Sequence, residues 1–185
     1  ALEQFLLSIV SDESKFDRAK RGEDDLTEEE KLGASLFNTE YDPARGLRGA
    51  DCFHCHGGPL FQSTAFANNG LDGSPPDIGR MKVTGLEGDR GKFSVPSLRN
   101  IALTAPYMHD GRFATLEEVI DHYDHGVKPS PTLDPNLAKH PATGLKLSPE
   151  EKTALIAFLK TLTDDSLPRP PRRMPPPRRP PPPPR

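Results

Sequence analysis

The sequence predicts an all-α domain in which a few short helices are joined by long loops. Apolar residues recur at helical spacing in four segments, and three of these segments follow a helix-capping motif. The stretch between residues 57 and 112 is instead rich in glycine, proline and asparagine, which favour turns over regular elements. A length of 185 residues is enough for one domain of ordinary size.

The first two helices are predicted at residues 1–10 and 28–38. The first has an apolar stripe but no preceding residue that could cap its N-terminus. The second follows Thr27, which forms a capping box with Glu30. The stripe residues are Leu2, Phe5, Leu6 and Ile9 in the first helix and Leu32, Leu36 and Phe37 in the second.

Two further helices are predicted closer to the C-terminus. One spans residues 116–125, after a capping box between Thr115 and Glu118. The other spans residues 149–162 and follows Ser148, with proline at its first position. Both segments carry apolar residues three and four positions apart, so each helix is expected to bury one face.

The rest of the chain is expected to contain little regular structure. A short hairpin is predicted to pair residues 82–84 with residues 93–95. Residues 1–26 are predicted to form the N-terminal helix and a linker, and residues 27–167 the folded domain. Residues 168–185 consist of proline and arginine with one methionine, a composition typical of polyproline II or disordered tails.

Charge is divided unevenly between the body and the tail. The formal net charge is −3, and the tail carries six arginines and no acidic residue, which leaves −9 on residues 1–168. An acidic body argues against nucleic-acid binding by the folded part. The basic tail is a candidate for contact with a partner protein. No stretch approaches the roughly 20 apolar residues that a transmembrane span requires, so none is predicted.

The two cysteines indicate the class of cofactor. Cys52 and Cys55 are followed directly by His56, and Cys-X-X-Cys-His is the attachment motif of haem c. Two thiols at this spacing reach both vinyl groups of one porphyrin, and the adjacent imidazole then lies under the iron. The sequence therefore predicts a cytochrome c-like domain, with small helices around one covalently bound haem c and His56 as the proximal ligand.

Two other uses of a cysteine pair fit less well. A redox-active disulfide of the thioredoxin type would require a βαβ context, and none is predicted. A zinc site would require a second cysteine or histidine pair at finger spacing, and none follows. Because haem c is attached outside the cytoplasm, a periplasmic or otherwise extracytoplasmic location is expected.

The second axial ligand of the iron is left open by the residues alone. Tyr123 shares one helix face with Leu116, Val119 and Ile120, which is equally typical of a packed core tyrosine. A methionine ligand would favour ferrous iron and raise the reduction potential, whereas a phenolate would favour ferric iron. The residues with suitable atoms are Met81, Met108, His109, His122, Tyr123 and His125.

The segment 95–112, VPSLRNIALTAPYMHDGR, resembles the signature of bacterial di-haem cytochrome c peroxidases and their MauG relatives. Three further segments share this resemblance, TLEE at 115–118, PTLDPNL at 131–137 and LSPEEK at 147–152. The similarity extends over residues 1–165 and concerns only the second haem domain of that family. The first haem domain, its peroxide-binding haem and the bridging tryptophan have no counterpart in this chain.

The resemblance implies roles for particular residues. It makes Tyr123 the distal iron ligand, as in the MauG branch, and Met108 a packing residue that remains the alternative ligand. It implies that Arg99 pairs with a haem propionate. It also implies a calcium ion bound by the backbone carbonyls of Thr104 and Pro106. Further haem contacts are expected from Pro59, Phe93 and Leu98.

Two functions are compatible with these observations. The first is an electron-transfer domain that relays oxidising equivalents for peroxide-dependent oxidation. Its partners would be a second haem domain or subunit and a small redox protein as electron donor or acceptor. The second is a stand-alone mono-haem electron carrier, or a cytochrome subunit of a larger redox complex.

Overall fold

Seven α-helices and two small antiparallel sheets form the described part of the chain, residues 2–7 and 10–166 of a computed structural model. The helices are α1 Leu2–Leu7, α2 Lys15–Arg21, α3 Glu28–Asn38, α4 Met81–Thr84, α5 Leu116–Asp121, α6 Pro135–Ala138 and α7 Pro149–Thr161. The strands are β1 Tyr41–Asp42, β2 Leu47–Arg48, β3 Phe66–Ala67 and β4 Phe93–Ser94, with β1 paired to β2 and β3 to β4. Short 3₁₀ turns cover Pro43–Arg45, Cys52–His54, Glu87–Asp89 and Ile101–Leu103.

Helices α3 and α7 pack against each other at the centre of the domain. Each begins at a capping box that the sequence predicts, with Thr27 and Ser148 as the N-caps. Four phenylalanine rings meet mostly edge to face beside this pair, with centroids 5.2 to 6.2 Å apart. These rings belong to Phe16, Phe37, Phe61 and Phe158. The core therefore joins α2, α3, α7 and the loop that follows the cysteine motif.

The close approach of α3 and α7 depends on Gly33. A Cβ atom at this position would overlap the backbone carbonyl of Ala154 and press on the Cβ of Phe158. We expect Gly33→Ala to lower the free energy of unfolding by about 3 kcal/mol, because a backbone carbonyl cannot move aside as a side chain can. Urea unfolding of the haem-loaded protein measures this change.

Gly88→Ala is the matched control for that substitution. Gly88 has open space where its Cβ would lie and no positive φ. Its replacement should change the free energy of unfolding by no more than about 0.5 kcal/mol. Equal effects of the two substitutions would contradict the packing described for Gly33.

The predicted hairpin is wrong in its pairing. Residues 82–84 lie in α4, which ends at Gly85 in the left-handed conformation. Strand β4 does form, but its partner is β3, with Phe66 opposite Ser94. Strand β3 lies far from β4 in the sequence. The prediction paired two segments that are close in sequence, and it therefore chose the wrong partner.

The N-terminal region differs from the prediction as well. The described part of helix α1 spans Leu2–Leu7, Val10 is not helical, and Leu2 and Phe5 of the predicted stripe are exposed. Helix α2 was not predicted, although Ser14 and Asp17 form a capping box at its start. The predicted tail, residues 168–185, lies outside the described residues. Within the described ranges, no helix is long and apolar enough to cross a membrane.

Helix α5 is shorter than the predicted helix 116–125. It ends at Asp121, and a π-helical turn, His122–Gly126, continues the chain. A π-turn carries one more residue per turn than an α-helix and so re-aims the side chains within it. Leu116, Val119, Ile120 and Tyr123 nevertheless line one common cavity, in agreement with the predicted helix face.

Candidate haem site

An apolar cavity of about 390 Å³ lies between α3, α5, α7 and the loops that follow the cysteine motif. Cofactor pockets commonly have volumes of about 300–1,000 Å³ and mostly apolar walls, so this volume suits a flat apolar cofactor. Its apolar wall includes Phe37, Val95, Leu98, Ile101, Leu155 and Leu159. Cys52, Cys55 and His56 line the same cavity. The cysteines and the histidine of the haem c motif therefore lie beside an apolar space that could hold a porphyrin ring.

Both thiols are held in a low-polarity environment. Burial raises the pKa of Cys52 to about 12, and the neighbouring Asp51 charge adds to the effect. Burial likewise raises the pKa of Cys55 to about 11. Both cysteines are free, and both line the same apolar wall.

The attachment turn is fixed by Asp51, a residue that the sequence analysis did not single out. Its carboxylate is buried, and it accepts hydrogen bonds from the Tyr41 N–H at 3.0 Å and from His140 Nε2 at 2.8 Å. Lys139 Nζ lies 3.0 Å from the same carboxylate. Burial alone would raise the pKa of Asp51, but these partners outweigh it and lower the pKa. The turn is thereby tied to β1 and to the segment after α6.

His56 is oriented by the backbone. Its Nδ1 lies 3.2 Å from the carbonyl oxygen of Phe61, and a carbonyl can only accept, so Nδ1 carries the proton. Burial lowers the pKa of His56, which favours the neutral ring. The lone pair of the neutral ring then lies on Nε2, and a backbone acceptor on Nδ1 is the usual arrangement of a ligating histidine.

The cavity separates the six candidates for the second axial ligand into two groups. Tyr123, Met108 and His109 line it. Met81 lies on α4, outside the lining residues. His122 Nε2 hydrogen-bonds the Asn69 carbonyl at 2.9 Å, and His125 pairs with Asp124 at 3.2 Å. These three are thus directed elsewhere.

The three residues inside the cavity differ in their surroundings. Burial raises the pKa of Tyr123 to about 12, and a hydrogen bond with the Asn69 side chain offsets part of this rise. Met108 has φ of +71° and places its sulfur 3.3 Å from the Asn69 amide nitrogen. The His109 ring is exposed and stacks on Phe93, with the centroids 3.7 Å apart. Tyr123 and Met108 are both half-buried, whereas His109 is exposed.

Arg99 and Pro59 do not line the cavity. The guanidinium of Arg99 donates to both carboxylate oxygens of Asp17 at 2.7 and 2.9 Å and to the Pro59 carbonyl at 2.8 and 3.0 Å. Arg99 therefore links segment 95–112 to α2 and to the loop that follows the cysteine motif. The propionate role of Arg99 and the haem contact of Pro59 stay predictions, whereas Phe93 and Leu98 do line the cavity.

The Asp17–Arg99 pair gives a pH prediction. Hydrogen bonds from Arg99 lower the pKa of Asp17 to about 2, below the unfolded value of about 3.9. The stabilisation is therefore complete above about pH 4 and is lost as the pH falls through about 2, with a size of about 2 kcal/mol. Asp17→Asn should destabilise the protein most above pH 4, and the difference from wild type should shrink towards pH 2. Chemical unfolding across this range tests it, and a difference independent of pH would contradict it.

Thr104 and Pro106, the residues expected to bind calcium, lie at the exposed rim of the cavity. The calcium assignment stays a prediction. Two residues important to the site were missed, Asp51 and Asn69, since no spacing or motif marks either. For Asp51, the only available indication was its position immediately before the first cysteine.

Comparison with known proteins gives a consistent result. No protein-family profile matches the chain. Cytochrome c551 peroxidase of Nitrosomonas europaea is 35% identical over 170 residues, which cover 89% of this chain and 43% of that protein. MauG, the methylamine utilization protein of Paracoccus denitrificans, is 33% identical over 181 residues, covering 82% and 46%. The chain spans about half the length of the curated relatives it matches.

Solved structures agree with this. A MauG-like protein associated with microbial copper homeostasis superposes with a TM-score of 0.67 and 40% identity, covering 84% of this chain and 49% of that one. The diheme peroxidase BthA from Burkholderia thailandensis has a TM-score of 0.67 at 21% identity, covering 85% and 48%, which shows the fold alone.

The fold and its cavity define a cytochrome c-like haem protein. The chain belongs to the family of bacterial di-haem cytochrome c peroxidases and MauG proteins, and it corresponds to one haem domain of such a protein.

Proposed function

We propose that this chain is the electron-relaying, second haem domain of a di-haem protein that carries out peroxide-dependent oxidation. Cys52 and Cys55 would hold one haem c, with His56 and Tyr123 as its axial ligands. The observation that carries this proposal is that all four residues line one apolar cavity. The haem would supply reversible one-electron chemistry, and the protein would set its potential through the axial ligands and burial.

The chain's own residues would keep peroxide away from this iron. Tyr123 would occupy the second axial position, and apolar side chains such as Leu155 and Leu159 would exclude water from the ring. Peroxide would then react at another haem, and this domain would pass electrons to it. A second haem domain or subunit and a small redox protein are the partners that this role requires. The haem c attachment implies an extracytoplasmic location, and a calcium ion at Thr104 and Pro106 would lie at the exposed rim.

The second candidate is a mono-haem electron carrier with Met108 as ligand. It is favoured by one observation, the placement of the Met108 sulfur in the same cavity. A neutral thioether would raise the potential and suit a carrier that acts alone.

The iron content of the native protein separates the two functions. The proposed function predicts two haem irons per complete functional unit, and the carrier predicts one. The ferric spectrum adds an independent criterion. A tyrosinate-to-iron charge-transfer band supports Tyr123, whereas the far-red band of a methionine–iron bond would support Met108.

A further inference from the structure

Two aspartates line the cavity, and no lysine or arginine is among the described residues of its wall. Asp51 lies directly before Cys52, and Asp134 lies directly before helix α6. A haem would add its propionate carboxylates to this site. The charge balance around the haem therefore depends on how far each aspartate is neutralised by neighbouring cations.

The charge of Asp51 is compensated within the protein. Its carboxylate lies 3.0 Å from Lys139 Nζ and 2.8 Å from His140 Nε2, and it accepts the Tyr41 N–H at 3.0 Å. A carboxylate and a lysine at this distance act on a more distant group as a dipole, because their opposite charges largely cancel. Asp51 therefore contributes little net charge to the cavity.

Asp134 has hydrogen-bond donors but no neighbouring cation. Its Oδ1 accepts the Asn136 N–H at 2.9 Å and the Asn136 side-chain amide at 3.1 Å. No ion pair involves Asp134 in the part of the chain that the structure describes, although its neighbour Lys139 pairs with Glu40 and Asp51. The half-buried carboxylate of Asp134 is therefore an uncompensated negative charge in the cavity wall.

The backbone around Asp134 is held against the segment that follows β3. The Asp134 N–H donates to the carbonyl of buried Asn68 at 3.0 Å, and the Asn68 amide donates to Ser130 and Thr132 at 3.1 and 2.9 Å. Leu137, one turn further along α6, lines the same cavity. The capping bonds and this link together keep Asp134 in the wall.

The Cys55 thiol responds to the charge of Asp134. Burial raises the pKa of Cys55 to about 11, and the negative charge of Asp134 adds to that rise. A carboxylate that acts on the attachment cysteine also acts on a haem joined to that cysteine. A nearby negative charge favours ferric over ferrous iron, because the ferric haem carries one more positive charge.

We propose that Asp134 is an electrostatic determinant of the haem potential, an uncompensated carboxylate in the cavity wall that lowers this potential. The proposal rests on the haem c of the proposed function, and it holds for either distal ligand. In a domain that passes electrons to a second haem, a lower potential makes the domain a stronger electron donor. Asp134 thereby favours electron transfer out of this domain.

The test separates the charge of Asp134 from its capping role in the haem-loaded full-length protein. Asp134→Asn removes the charge and keeps a capping oxygen, whereas Asp134→Glu keeps the charge and is not a preferred capping residue. We expect Asp134→Asn to raise the equilibrium constant for reduction about fivefold, which is about 40 mV at 59 mV per tenfold change. Its melting temperature should change little. Asp134→Glu should lower the melting temperature and keep the equilibrium constant within about twofold of wild type.

Glu29→Gln is the matched control for the loss of one negative charge. Glu29 lies in the first turn of α3, is exposed and does not line the cavity, so solvent screens its charge. Its substitution should change the equilibrium constant by less than about twofold.

Three outcomes would overturn the proposal while the haem site stands. Haem-loaded Asp134→Asn could match Glu29→Gln, it could lower the potential, or Asp134→Glu could shift the potential as much as Asp134→Asn does. The last result would assign the effect to the cap instead of the charge. If the wild-type protein carries no haem, the proposed function and this inference both fail.

Discussion

Under the proposed function, we expect Tyr123→Met to raise the reduction potential of the haem by at least about 0.1 V. Axial ligands alone move haem potentials over a range of about 0.8 V, and exchange of an anionic phenolate for a neutral thioether removes charge that favours ferric iron. The substitution should also abolish the tyrosinate band in the ferric spectrum. Spectroelectrochemical titration of wild type and variant measures both effects.

Tyr107→Phe is the control for Tyr123. Tyr107 lines the same cavity and is buried, but its hydroxyl donates to the Ile101 carbonyl at 3.1 Å. Loss of that hydroxyl should cost about 1 kcal/mol of stability and leave the potential unchanged. Tyr123 ligation is contradicted if the two variants have the same potential as wild type.

We expect the double substitution Cys52→Ala and Cys55→Ala to abolish covalent haem attachment and to destabilise the whole domain. The cavity between the helices would then lose its covalently held cofactor. By the proportionality measured for core cavities, an empty space of about 390 Å³ would cost on the order of 9 kcal/mol, an upper bound for a cavity that opens to solvent. Whole domains are stable by about 5–15 kcal/mol, so the chain without haem should not keep its native core.

Haem staining of a denaturing gel and circular dichroism measure these two losses. The single variants are the controls, because each retains one thioether and should still stain. A double variant that keeps wild-type stability without haem would contradict the view that the cofactor completes the core.

The helix starts were predictable because capping is local. Thr27, Thr115 and Ser148 each cap a helix where the sequence places it, since an N-cap and its partner lie three residues apart. Helix α2 also begins with a capping box, but Phe16 is the only large apolar residue in this helix. The sequence therefore has no apolar stripe that would indicate it.

Long-range features could not be predicted in the same way. The β3–β4 pairing and the Asp17–Arg99 link join segments far apart in the chain, and no local propensity encodes them. For the site, the motif identified Cys52, Cys55 and His56, and helical spacing identified Tyr123; the structure places all four in the wall of one cavity. Asn69 could not be predicted, because its contacts with Met108 and His122 form only when the segment after β3 lies beside the π-helical turn.

The mass of one tryptic peptide tests the central claim most directly. Trypsin cleaves after Arg48 and Arg80, and residues 49–80 contain both cysteines but no internal lysine or arginine. We predict that this peptide, isolated from the native protein under denaturing conditions, carries the added mass of one haem and absorbs in the Soret region. The same peptide at its bare mass, with two unmodified thiols, would contradict covalent haem attachment and with it the redox role proposed for the chain.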